Sequence, residues 1–521
     1  MLPPELLGSL ARGIEKESLR ARPDGGLADT PHPKGLGSAL THPHITTDFS
    51  EAQLELITGV HTAAGACIAE LTAIHQFVCR QIGDELLWGA SMPCGLPPDD
   101  AIPLARYGTS NVGRAKTVYR QGLSHRYGRR MQTISGIHYN FSVPEAAWPI
   151  LQRADRYQGD TQAYRTDAYF ALIRNFRRHS WLLLYLFGAS PAVCSTFLPD
   201  QAHGLQALES GTLYLPHATS LRMGPLGYQS DAQATLAVSY NGLDGYARSL
   251  ERALTEPYPP YQQIGIHDGG GLYRQLNDTL LQIENEFYGT IRPKRGIRPG
   301  ERPLRALAER GVEYVEVRCL DLDPFDPVGI PVGTLHFLDV FLLHCLLAES
   351  PHDTPQEIAE MSRNQHRVAQ FGREPGLRLQ RGGEQIGLLE WGRALLRECA
   401  PIAEALDAAS GGGPGDAPHA DALAAAEAAL SDASLTPSAR SLRVMAQHHG
   451  NSFPRFALAQ SQQHRERLLA MPLAPDVQAR FVQTAHDSLD EQRRIEAADA
   501  MPFETYRQRY LAGELPLRDA R

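Results

Sequence analysis

The chain has 521 residues, 42% of them hydrophobic, which is enough to bury a large core in two domains or in one domain with a large appendage. Its net charge of -9 does not favour nucleic acid or an anionic membrane as partner. The first residues lack the basic start and long apolar run of a signal peptide. The seven cysteines (Cys67, Cys79, Cys94, Cys194, Cys319, Cys345 and Cys399) never fall in a CxxC spacing, so reduced thiols and a cytoplasmic location are expected.

Near the start, GIEKES (13–18) places Glu15 and Glu17 two positions apart. On a strand such residues share a face, and a like-charged pair is unfavourable unless a cation, a shared proton or open water relieves it. In isolation the pair is also what an ordinary solvated edge shows. In TTDFSEAQLELIT (46–58) the spacing of Asp48 and Glu51 predicts a capped helix start, with Glu51 and Glu55 on one helical face. Glu55 lies between Leu54 and Leu56, where a solvated surface is not expected. SGIHYNFS (135–142) predicts a half-buried strand, Ile137, Tyr139 and Phe141 on one face and His138 and Asn140 on the other. A lone histidine there is more often a hydrogen-bonded structural residue.

WLLLYLF (181–187) and FLLHCLL (341–347) predict buried helices, both too short to span a bilayer. LQIENEFY (281–288) shares one face among Gln282, Glu284 and Glu286 if it is a strand and scatters them if it is a helix. VEYVEVRCLDLDPF (312–325) predicts a strand with Val315 and Val317 inward and Glu316 and Arg318 side by side on the polar face, as structural ion pairs also stand. Beyond about residue 372, Ala, Arg, Glu and Gln dominate. AEALDAA, ADALAAAEAAL, SARSLRVMAQHH and ERLLAMPLAPDVQARFV predict amphipathic helices, EQRRIEAADA a solvated one, and GGGPGDAP (411–418) a loop. The expected division is a catalytic region, 1–372, and a helical C-terminal region, 373–521, packed on it.

A sheet face lined with carboxylates and one histidine would suit hard divalent cations, Mg²⁺ or Mn²⁺, more than zinc, and such ions commonly accompany phosphates. There is no P-loop and no dinucleotide fingerprint; DGGG (268–271) predicts a hairpin turn. The basic candidates are YGTSNVGRAKTVYRQGL (107–123) and IRPKR (291–295). The chain has only four lysines, Lys16, Lys34, Lys116 and Lys294.

The ordered stretches GIEKESLR, GSALTHPHITTDFSEAQLELIT, ELLWGASMPC, YGTSNVGRAKTVYRQGLSHRYGRRMQTISGIHYNFS, YLFGASPAVC, LQIENEFYGTIRPKR and GVEYVEVRCLDLDPF resemble the bacterial type of glutamate-cysteine ligase, densely over roughly residues 10–350. The resemblance implies an α+β fold with a curved, mainly antiparallel sheet forming a funnel, surrounded by helices. It implies ATP-dependent joining of the L-glutamate γ-carboxylate to the L-cysteine amine, or a related carboxylate-amine ligation with a different acceptor. It also implies ATP and Mg²⁺ (or Mn²⁺), with Glu15, Glu17, Asp48, Glu55, His138 and Glu316 as metal ligands. Arg318, beside Glu316, is then the first candidate to neutralise the transferring phosphoryl group, with Lys294 and Arg295 as further phosphate contacts. Arg120 and Arg222 would hold substrate carboxylates, and Tyr119, Tyr228 and Tyr288 the cysteine side chain. Val112 and Cys319 depart from the family pattern, where Thr and Ser are common. No nucleic acid or membrane partner is expected, and the sequence is compatible with a monomer.

Overall fold

Period-two alternation in three segments builds the centre of the molecule. In the computed structural model, which describes residues 2–199, 203–209, 211–227, 232, 236, 238–410 and 415–515, the first part of the chain supplies β1 (Ala11–Ala21), β2 (Ile45–Thr47), β3 (Gln53–Ile57), β4 (Leu86–Leu87) and β5 (Ile137–Ser142). A small separate sheet follows, β6 (Ala192–Cys194), β7 (Gln206–Leu208) and β8 (Thr212–Tyr214), before β9 (Ile291–Lys294) and β10 (Tyr314–Leu320) rejoin the main one. The main sheet runs β2-β3-β1-β5-β10-β9, with β4 on the far end of β1, and every pairing in it is antiparallel.

One face of this sheet is apolar. Ile14, Leu54, Leu56, Ile137, Tyr139, Phe141, Val315 and Val317 point to that side, all almost fully excluded from water. They join a single core with helices α1 (Ala64–Gln81), α2 (Asn111–Tyr127), α3 (Thr161–His179), α4 (Trp181–Phe187) and α5 (Val332–Leu347), of which all but α2 contribute buried side chains to it. Burial of each such side chain is worth about 1.5–3 kcal/mol, so the register that keeps the set inward is strongly fixed and the odd-numbered carboxylates of β1 are forced outward. The fold is α+β, and no described helix is long and apolar enough to cross a membrane.

After α6 (Pro355–Phe371), the C-terminal region holds the hairpin β11 (Arg378–Arg381) and β12 (Glu384–Gly387), then α7 (Leu388–Ala409), α8 (Pro418–Ser431), α9 (Pro437–His448), α10 (Phe453–Ala470), α11 (Pro475–Ala497) and α12 (Phe503–Ala512). Trp391, Leu430, Leu468 and Phe481 enter the same core as the sheet. The last turns also reach the N-terminus of α2: Asn111 Nδ2 donates to Asp499 Oδ1 (2.6 Å) and the Thr109 backbone N–H to Glu496 Oε1 (2.8 Å).

Three local expectations are overturned. Residues 46–58 are not a helix: β2 and β3 pair across a turn closed by Asp48 N–H to Gln53 O (2.9 Å), in which the β-branched Ile45, Thr46 and Thr47 suit the pleat. The spacing that mimicked a cap has another use, since Glu51 accepts the backbone N–H of His32 (3.0 Å) and of Arg106 (2.8 Å). ERLLAMPLAPDVQARFV is two helices, broken between Ala470 and Pro475 where Pro472 and Pro475 remove backbone donors. LQIENEFY is neither strand nor long helix but a loop with one short 3₁₀ turn, Glu284–Glu286. The segment 268–271 does turn, with Gly271 at φ 85° and Asp268 N–H bonded to Leu272 O (2.9 Å).

Candidate active site

The polar face of the main sheet is defined by register. Glu15 stands opposite His138, Glu17 opposite Glu55, and Glu316 opposite Asn140. Because β1, β3, β5 and β10 are neighbours, these side chains converge on one area. His138 Nδ1 lies 3.3 Å from Glu15 Oε2 and 3.8 Å from Glu316 Oε1, and its Nε2 lies 3.6 Å from Glu17 Oε1. One ligand atom each from Glu15, Glu55 and His138 falls within 4.8 Å of the others. Asp48, on the turn after β2, lines the same cavity.

Cations border this acidic cup on one side. Arg318 Nη1 is 3.1 Å from Glu316 Oε2 and 3.4 Å from His138 Nδ1, and Lys294 Nζ is 3.2 Å from Glu316 Oε1. The consequences for ionisation follow the geometry. Burial raises Glu316, but Lys294 and Arg318 outweigh it and hold the carboxyl well below its ordinary range. Glu15 is likewise raised by burial and brought below its usual value mainly by the His138 hydrogen bond. Glu17 is pushed up to about 8 by burial and by Asp48, and Glu55 well above its usual value by burial and by Glu15, Asp48 and Glu17. The β3 side of the cup therefore has more negative charge than the protein itself compensates.

A rise from 4.5 to about 8 is worth on the order of 5 kcal/mol of unfavourable ionisation. Glu17 thus binds its proton more tightly folded than unfolded, so its contribution is fully present below about pH 4.5 and is lost as pH rises to about 8. In metal-free buffer the stability of Glu17→Gln is expected to gain on wild type across that window, measured as the difference between their denaturation midpoints at each pH. A pH-independent difference would mean that Glu17 is not the strained carboxyl.

Beyond the cup the site opens into a cavity of about 450 Å³ whose walls include Tyr119, Arg120, Gln132, Arg222, Phe287, Tyr288 and Arg318, reaching Ile358 and Met361 on α6. Ser110 caps α2, accepting the Gly113 N–H, and Lys116, Tyr119 and Arg120 share one face of this helix at i, i+3 and i+4. Arg120 donates through Nε to the Asp48 carbonyl and through Nη1 to that of Lys116 (2.9 Å). Burial brings Lys116 down to about 8, with Arg120 adding to the effect. Arg222, almost fully buried, donates to the Arg318 carbonyl (3.0 Å) and lies 3.7 Å from Asp321. It passes the chain at Gly136, just before β5, where a Cβ would sit only 2.0 Å from its Nη2. The same Gly136 donates its N–H to Glu17 Oε2 (2.8 Å), so this glycine serves both the arginine and the carboxylate. Tyr288 accepts from Gln132 Nε2 (2.7 Å).

The structure thus brings together Glu15, Glu17, Asp48, Glu55, His138, Glu316, Lys294 and Arg318, with Tyr119, Arg120, Arg222 and Tyr288 on the adjoining walls. Arg295 stands apart from the cup: its Nε faces Glu313 Oε2 at 3.5 Å, because alternation turns it away from Lys294. Tyr228 lies outside the described residues. Arg292, opposite Glu316 in the β9–β10 register, was missed; it shares the face of Lys294 and donates to the carbonyls of Asn285 (2.9 Å) and Phe287. The alternation in IRPK could have identified it.

Glu284 and Glu286 are structural. Glu284 pairs with Arg302 (2.6 Å) and Glu286 with Arg126 (2.9 Å), the latter pair fully buried. Arg126 also donates to Gln275 Oε1 (3.0 Å) and Asn277 O (2.7 Å), fastening the loop that delivers Tyr288 to the end of α2. Glu286→Ala is expected to lower stability by about 3–5 kcal/mol, read by denaturant unfolding, because it strands a buried guanidinium.

An open antiparallel sheet with an oxygen-rich cup, flanked by guanidinium groups and facing a cavity, is a layout that can hold divalent cations beside a phosphorylated substrate. The glutamate-cysteine ligase family model matches residues 3–368. Glutamate-cysteine ligase of Pseudomonas aeruginosa (strain LESB58) is 51% identical over 512 residues, 98% of this chain and 96% of that protein; the one of Azotobacter vinelandii is 50% identical over 513 residues, 97% and 95%. The structure of Francisella tularensis glutamate-cysteine ligase in complex with AMP is similar with a TM-score of 0.90 at 37% identity, covering 97% of this chain and 98% of that one. The chain belongs to the glutamate-cysteine ligase family.

Proposed function

We propose that this chain catalyses the ATP-dependent ligation of L-glutamate, through its γ-carboxylate, to the amine of L-cysteine, giving γ-glutamylcysteine, ADP and phosphate. Family membership supports the reaction. The observation that carries the chemistry is the placement of Arg318 and Lys294 against Glu316 at the border between the carboxylate cup and the cavity.

The donor set fits Mg²⁺ or Mn²⁺. Glu17 and Glu55 face each other and both are raised by burial and by the neighbouring carboxylates, a strain that bound divalent cations relieve. Glu15, Glu17, Asp48, Glu55, His138 and Glu316 would hold the ions. When bound, they supply charge neutralisation on the ATP phosphates.

A carboxylate is a poor acyl donor until its oxygen attacks the γ-phosphorus of ATP, which forms an O–P bond and releases ADP. Arg318 and Lys294 neutralise charge on the transferring phosphoryl group at that point, and their positions are already fixed by Glu316. Arg120 and Arg222 are placed to hold substrate carboxylates. The cysteine amine then attacks the acyl carbon of γ-glutamyl phosphate, loses a proton, and the C–O bond to phosphate breaks. Tyr119 and Tyr288 wall the cavity beside this centre and limit hydrolysis of the acyl phosphate by water. Residues 1–372 would form the catalytic region, braced by 373–521 through the Asn111 and Thr109 contacts.

The test is phosphate release from ATP with Mg²⁺ and glutamate, with cysteine or with other small amines in its place. Release that depends on cysteine and yields γ-glutamylcysteine by mass is expected; preference for another amine would change the acceptor, and no turnover would overturn the proposal.

A further inference from the structure

A second constellation of metal-ligating side chains lies behind the sheet. His336 and Asp339 are three residues apart on α5, and His419 starts α8; one ligand atom of each lies within 4.8 Å of the others. We propose that these three residues bind one divalent transition-metal ion of the Zn²⁺ class, fastening the C-terminal helices to the catalytic sheet.

Each residue is prepared for that task. Asp407, in the last turn of α7, accepts from His419 Nδ1 (2.6 Å) and from the backbone N–H groups of His419 and Ala420 (2.9 Å each). This carboxylate fixes the ring and leaves Nε2 as the donor, the outer-shell arrangement typical of metal-bound histidines. The His336 ring packs against that of His419, centroids 4.7 Å apart at 76°, and its Nδ1 is buried with no hydrogen-bond partner. Asp339, almost fully buried, is oriented by Tyr139 Oη (2.6 Å) on β5 and by Arg12 on β1, whose Nε is 3.3 Å from Oδ1 and whose Nη2 is 3.1 Å from Oδ2. Oδ2 accepts no hydrogen bond beyond that ion contact and keeps a lone pair for a metal. Two imidazoles and one carboxylate select a borderline ion over Mg²⁺, with a fourth position for water. The site joins α5 to α7 and α8, and through Asp339 it reaches the strands that carry Glu15 and His138.

The experiment is a Co²⁺ titration of chelator-treated full-length protein in excess Mg²⁺, followed by visible absorption. Wild type and Glu55→Gln should each bind one Co²⁺ with the intense bands of low coordination, and Zn²⁺ should displace it. His336→Ala, at a half-buried position, should weaken binding at least about tenfold, and Asp407→Asn about 10–100-fold, the usual loss for an outer-shell partner. Zn²⁺ should raise the melting temperature of wild type and not of His336→Ala. Absence of the bands in wild type, or equal affinity in His336→Ala, would overturn the proposal; so would bands lost in Glu55→Gln, which would place the ion in the carboxylate cup.

Discussion

Glu55→Gln is expected to lower kcat by about 10²–10³-fold, the scale on which a preorganised electrostatic partner contributes, and yet to raise the melting temperature in metal-free buffer. Both effects come from one placement. Glu55 is directly opposite Glu17 and is also opposed by Glu15 and Asp48, so removal of its charge relieves the folded protein where no cation is present. In Mg²⁺ the order should reverse, because wild type gains the full binding free energy of the ions and the variant loses a ligand. Turnover at saturating Mg²⁺ together with melting curves in chelator and in Mg²⁺ checks both halves. Near-normal turnover with unchanged stability would show that the cup is not where the ions act. A variant that loses activity and is also less stable in chelator would mean that Glu55 is a structural carboxylate.

How far the sequence foretold the site depended on whether each residue was specified locally. On β5 and β10 the alternation of apolar and polar residues determines both strand and face, and the placement of His138, Glu316 and Arg318 follows from it; on β1, where Lys16 and Ser18 share the buried face with Ile14, only the two-residue spacing puts Glu15 and Glu17 on one face. Glu55 stands out on the expected helix because it lies between two leucines; on β3 the same order is ordinary alternation, which buries Leu54 and Leu56 and turns Glu55 to the polar face. The helix itself was suggested by an i, i+3 spacing whose real partners, the backbone groups of His32 and Arg106, lie far away in sequence. The same limit explains Glu284 and Glu286. Their arginines are 18 and 160 residues away, and nothing within LQIENEFY distinguishes a carboxylate awaiting a buried arginine from one facing a metal. Arg292 was legible by alternation, since it shares a face with Lys294; Arg295 does not, which is why it turns to Glu313.

Arg318 should show the second large effect. Arg318→Met is expected to lower kcat by about 10³-fold and Arg318→Lys by about 10–100-fold, with KM for glutamate changing little in either. The guanidinium is held over the cup by Glu316, its backbone N–H is bonded to Thr290 O (2.8 Å), and its carbonyl receives Arg222, so the side chain is positioned before any substrate binds. A group so placed acts on charge that develops as the phosphoryl group moves, and interactions made chiefly in the transition state appear in kcat. Lysine would keep the charge and lose the planar fork, which sets the smaller deficit of that variant. Lys294 remains against Glu316 in both, so the cup keeps one of its two flanking cations and the loss is not total. Steady-state kinetics with ATP and glutamate each varied will separate the parameters. An unchanged kcat with a large rise in the KM for glutamate would reassign Arg318 to holding a substrate carboxylate, and the phosphoryl role would pass to Lys294 and Arg292.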